Sequence, residues 1–233
     1  MTGELRKNFH HDLEQVQHDL VRLSGTVTEL ISRTTSVLLG SDLEGADYVV
    51  AGDDEIDARS LDIDDACLTI LALQAPVAVD LRRVVAMLAV SADVERSADL
   101  LCNICKAIGQ LSGAVVVPVL SRLIAAMGER AGVLFLAATE CLRDDDAAKA
   151  WALDDMDSYL DELHRQLIQA IFETYTAGQI DVSAAVQLAF VARFYERVGD
   201  HAVNIGEHVS YVVTGSRHAQ AQGIAAQRGQ PVA

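Results

Sequence analysis

The sequence predicts an all-α protein made of two tandem three-helix bundles related by internal duplication. Three observations lead there. Apolar residues recur at three- and four-residue steps through long stretches. Only 3 prolines interrupt a 233-residue chain that is 51% hydrophobic. The arrangement of its acidic residues occurs twice.

The first helix is expected over residues 8–39, with Leu13, Val16, Leu20, Leu23, Val27, Leu30 and Ile31 on one face. Gly40-Ser41-Asp42 ends it and supplies a cap for the second, at 42–73. Gln74-Ala75-Pro76 stops that helix, because the residue before a proline is driven out of helical geometry. The third helix, 79–111, completes a first bundle at 8–112. Ser112-Gly113 and Pro118 mark a linker, and the second bundle covers 118–214. Its helices are expected at 119–142, at 147–175 after the acidic turn Arg143-Asp144-Asp145-Asp146, and from a Gly178-Gln179-Ile180-Asp181 cap to 214. Residues 215–233, rich in Gln, Ala and Gly, are expected to be disordered.

Charge narrows the function. A net charge of −16 argues against a nucleic-acid partner, which requires a basic surface. No run of apolar residues is long enough to span a bilayer, and the polar start lacks a signal-peptide core. A cytoplasmic location is the expectation. Cys67, Cys102, Cys105 and Cys141 sit in apolar helical context and read as buried free thiols.

The acidic residues carry the chemistry. Glu95, Asp99, Asn103 and Ile104 recur 101 positions later as Glu196, Asp200, Asn204 and Ile205, and Asp80 recurs as Asp181. In the middle helices Asp53 and Asp57 recur 104 positions later as Asp157 and Asp161. Positions i and i+4 share a helix face, so each of these four pairs sets like charges side by side, which is unfavourable. One such pair is usually a solvated helix face. Four pairs at duplicated positions, one on each middle and each last helix, point instead to a cation between facing helices. Oxygen-only donors suit hard cations such as magnesium, calcium, manganese or iron, with little to favour zinc.

Other motifs are weaker. Cys102-Asn103-Ile104-Cys105 is one CxxC without a second, and the other half has Val203 and Gly206 there. Asp161 and His164 form a carboxylate-x-x-His step of the kind di-iron bundles use, but the matching residue in the first half is Ser60. His201 falls opposite Leu100 and is at best an accessory. Arg96 and Arg197 point away from the acids beside them and suit ion pairing or a partner contact. Gln74, Pro76, Asp80 and Arg82 form a turn and helix start that could also mark a docking surface.

Taken in order, Asp53xxIleAsp57, Gln74AlaPro76, Asp80LeuArg82, Glu95ArgxxAsp99, Asp157xxLeuAsp161 and Glu196ArgValGlyAsp200HisAlaValAsn204Ile resemble the PhoU family, including the actinobacterial PhoY proteins, over residues 10–214. The first half differs in carrying Ser97-Ala98 where the second has Val198-Gly199. The resemblance implies paired three-helix bundles with multinuclear metal clusters, of iron, zinc, manganese or magnesium, on Asp53, Asp57, Glu95, Asp99, Asp157, Asp161, Glu196 and Asp200. It implies a non-enzymatic negative regulator of phosphate uptake and of the starvation response, a homodimer linking the phosphate ABC transporter ATPase to a sensor histidine kinase. The alternative is a di-iron carboxylate or metal-dependent hydrolytic enzyme of helical-bundle type.

Overall fold

The computed structural model describes residues 2–111 and 117–215. The expected linker residues Ser112-Gly113 and the tail beyond Gly215 lie outside the described residues. Seven helices occur among those described: α1 (Thr2–Gly40), α2 (Leu43–Ala51), α3 (Asp53–Gln74), α4 (Ala78–Ile108), α5 (Pro118–Asp144), α6 (Ala147–Thr176) and α7 (Val182–Thr214). None of them is long and apolar enough to cross a membrane.

The expected second helix is two. It breaks at Gly52, whose N–H reaches both Tyr48 O and Val49 O at 3.2 Å. Three acids, Asp53, Asp54 and Glu55, form the first turn of α3, where the helix dipole stabilises them. Counterparts 104 residues on show why this differs from the second half. Asp42 and Asp146 are both N-caps, each preceded by a left-handed residue, Ser41 (φ 49°) and Asp145 (φ 50°). Met156 stands where Gly52 does, and α6 runs through without a break. The start of α4 also departs from expectation. Val77, not Asp80, occupies its N-cap, whereas Asp181 caps α7 by accepting from Ala184 N at 2.8 Å.

Each half packs as expected. α3 lies on α1 and α4, and α6 lies on α5 and α7. Among the described residues the halves meet chiefly through equivalent helices, α1 against α5 and α4 against α7, as an internal two-fold relation gives. Asp93 touches His201 and Gln110 touches Gln187, so α4 and α7 run antiparallel. Leu20, Leu23, Val27, Ile31, Ile124, Met127, Leu134 and Phe135 are almost wholly buried in one shared core. Each contributes about 2 kcal/mol of apolar burial.

Two contacts set how closely the halves approach. A Cβ on Gly128 of α5 would sit 2.2 Å from Thr35 Oγ1, so the absent side chain lets α5 close on α1. Thr35 donates to Ile31 O and accepts from the fully buried Tyr195 hydroxyl, both at 2.8 Å. On the far side Arg83 of α4 pairs with Asp145 at 2.7 Å, and Gln17 of α1 donates to Leu142 O at 3.0 Å.

Candidate functional site

The duplicated carboxylates line two grooves, one between α3 and α4 and one between α6 and α7. Asp53 and Asp57 stand on α3 across from Glu95 and Asp99 on α4; Asp157 and Asp161 stand on α6 across from Glu196 and Asp200 on α7. Asp53, Asp57 and Glu95 in the first half and Asp157 and Glu196 in the second are half-buried, while Asp99, Asp161 and Asp200 are exposed.

Electrostatics show that each group acts as a unit. In the second half, burial and then the charges of Asp161, Asp200 and Glu196 push the Asp157 carboxyl up to about 7. Burial and Asp200 raise Glu196, opposed by its ion pair with Arg193. In the first half, burial raises Asp53, against the lowering effect of the nearby Cys102 thiol, and Asp57 and Asp99 add to the rise. That thiol's hydrogen bond by geometry goes to Val49 O, at 3.9 Å, so its hold on Asp53 is slight. Burial, Asp99 and Asp57 raise Glu95.

Close packing explains the stronger effect in the second half. A Cβ on Gly199 would lie 2.6 Å from both Asp157 Oδ1 and Leu160 Cδ2, so α6 and α7 approach as only glycine permits. The first half has Ala98 at that position, and Ser97 beside it turns inward to donate to Asp93 O at 2.7 Å.

Asp53 Oδ1, Asp57 Oδ1 and Asp157 Oδ1 are buried with no hydrogen-bond partner. Buried acceptors without donors are uncommon and fit a ligand from outside the chain. The donor set is carboxylate oxygen throughout, which suits hard cations. Four carboxylates do not converge as expected: among the described residues no three His, Cys, Asp or Glu side chains come close enough to hold one ion. Like charges repel, and the grooves are open acidic clefts rather than closed chelates.

The other candidates fall as follows. Arg96 and Arg197 are exposed, and Arg193, not Arg197, pairs with Glu196. Gln74 ends α3, Pro76 lies in the turn, and Asp80 is half-buried in the first turn of α4. Arg82 is turned onto the chain itself, its guanidinium 6.0 Å from the Tyr211 ring. His164 is half-buried, with burial and Arg193 lowering its pKa. All four cysteines are free and buried.

A buried cluster escaped the sequence reading. Asp93 of α4, 5% exposed, receives His201 Nδ1 at 2.9 Å, His208 Nε2 at 3.5 Å and Asn204 Nδ2 at 3.5 Å from α7. Burial alone would raise this carboxyl, but the two histidines outweigh it and hold it at about 2. His201, Asn204 and His208 share one helix face by their spacing, which is the signal that could have revealed them. Their partner has no counterpart, since Phe194 takes the position of Asp93 in the second half.

Two equivalent bundles, joined through equivalent helices and each bearing an acidic groove, define a duplicated helical-bundle protein of the PhoU type. A model of the PhoU domain matches the chain twice, at residues 20–108 and 124–209. The chain belongs to the PhoU family. It is 32% identical over 213 residues to the phosphate-specific transport system accessory protein PhoU homolog 1 of Mycobacterium leprae, covering 91% of this chain and 95% of that relative. It is 32% identical over 216 residues to the PhoU homolog of Deinococcus radiodurans, covering 91% and 100%. The crystal structure of PhoU from Pseudomonas aeruginosa superposes with a TM-score of 0.84 at 26% identity, over 89% of this chain and 100% of that one.

Proposed function

We propose that this protein regulates phosphate transport, and that it acts by holding other proteins rather than by turning over a substrate. The observation that carries this reading is the full-length match to relatives named as accessory proteins of the phosphate-specific transport system. In detail, the chain is a cytoplasmic homodimer that represses phosphate uptake and the starvation response. It contacts the ATPase of the phosphate transporter and a sensor histidine kinase.

The acidic grooves serve this role structurally. Asp53, Asp57, Glu95 and Asp99 in one half, and Asp157, Asp161, Glu196 and Asp200 in the other, hold hard cations, with iron, manganese or magnesium favoured over zinc. A bound cation supplies positive charge between two helices. The chain's own residues do the rest: the Gly199 contact brings α6 onto α7, and the carboxylates become acceptors with a partner instead of charges in repulsion.

Deleting the gene and measuring phosphate uptake at high external phosphate tests the reading. Raised uptake, restored by the intact gene, is expected. Uptake unchanged by deletion would overturn it.

A further inference from the structure

The outer face of α3 carries an apolar stripe that nothing among the described residues covers. Among the described elements α3 packs on α1, α2 and α4. Its inward face is Ile56, Ile63, Cys67 and Ile70, all buried. At 3.6 residues per turn, Ala58, Leu61, Asp65, Leu68 and Ala72 fall on the opposite side, and all are exposed, Leu61 at 65% and Leu68 at 54%. Their steps of three and four residues are the a and d positions of a heptad repeat. A helix apolar on both faces is expected between two layers, not at a surface. The second half has no such seam: its corresponding residues are Glu162, Arg165, Gln169, Phe172 and Thr176.

Charge selects the occupant. Between them, the residues of α3 carry seven acids and one base, Arg59, and Asp54, Asp62 and Asp65 are all exposed. Asp65 sits at the midpoint of the seam, between the two leucines. A second copy docked two-fold on this face would bring two Asp65 carboxylates together and set two acidic helix edges against each other. A helix with an apolar heptad stripe, basic edges and one Arg or Lys opposite Asp65 answers both the shape and the charge.

We propose that this face of α3 is a docking seam for a basic-edged amphipathic helix of a partner protein. The proposal deepens the reading of the chain as a regulator that works by contact, and rests on it. It places one such contact on the first half alone, away from the two-fold junction of the halves.

The test uses the full chain and a synthetic helix of about three heptads, with Leu at a and d, Lys at e and g, and Arg at the central a position. A control peptide carries Glu in place of every base. By fluorescence anisotropy the basic peptide should bind at least about tenfold tighter than the control. Leu61→Glu with Leu68→Glu should weaken binding by about tenfold or more, although it adds negative charge; attraction by bulk charge alone would tighten it. Asp65→Lys should shift preference toward the acidic peptide. Unchanged thermal melting checks the fold of each variant.

Binding unaffected or strengthened by the double substitution overturns the seam. So does a self-association in sedimentation that Leu61→Glu abolishes, or peptide binding seen only after residues 216–233 are removed. In cells, the double variant should raise phosphate uptake as deletion does. Deletion that raises uptake while the double variant does not refutes the seam alone. Deletion without effect refutes the regulatory reading, and the peptide then decides the seam by itself.

Discussion

The α-carbon of Gly199 faces the carboxylate of Asp157 so closely that a methyl group there would lie 2.6 Å from Oδ1. That approach buries Asp157 and sets it among Asp161, Asp200 and Glu196. Gly199→Ala should therefore cost about 1–3 kcal/mol in urea unfolding, the usual range for overpacking. It should also weaken cation binding in the second half, because the new methyl displaces Asp157. Ala98 already occupies the matching position, so Ala98→Gly should change cation binding in the first half far less.

Asp157 also makes a prediction about pH. Its carboxyl is raised from 3.8 to about 7, so between those values the folded state keeps a proton that the unfolded state has released. Metal-free protein should lose stability as pH rises through that window and level off above it. Asp157→Asn should remove this slope and raise the melting temperature of metal-free protein at neutral pH. Melting curves at several pH values in the presence of a chelator check both statements.

Asp93 behaves in the opposite sense. Its pKa is lowered to about 2, so its pairing stabilises the fold above pH 4 and is lost as pH falls toward 2. His201→Ala leaves this buried carboxylate without its nearest partner and should cost about 3 kcal/mol at pH 7. Asp93→Asn should cost less, and should flatten the acid limb of the stability profile. Chemical unfolding of each variant at pH 7 and pH 3 separates them.

The helical frame was open to reading because Leu20, Val27 and Ile31 repeat at helical steps and because Asp42 and Asp181 are good caps with no competitor. The acidic grooves were legible for the same reason: i, i+4 pairs fix a face, and duplication fixes which helices matter. Asp93 was not legible, since its partner His201 lies 108 residues away and neither residue is duplicated. The break at Gly52 was hidden because a lone glycine is tolerated within a helical pattern. Arg193 was overlooked, although it stands three residues from Glu196, a spacing at which opposite charges meet along a helix.

Gly52 offers a simple check on the backbone account. Its φ of −80° and ψ of −9° are open to any residue, and its nearest atoms would be 3.5 Å from an added Cβ. Gly52→Ala should stabilise the protein by about 0.4–1 kcal/mol by reducing the freedom of the unfolded chain. It should bring the α2–α3 junction closer to the continuous form of α6.

Thermal melting with manganese or iron(II) against chelator, on the intact protein and on the Asp157→Asn/Glu196→Gln variant, reaches the central claim most directly. The acidic grooves as cation-held braces predict a rise in melting temperature on adding metal to the intact protein, and a clearly smaller rise in the variant, whose metal-free form is already relieved of repulsion. No rise in the intact protein, or an equal rise in both, would contradict the account.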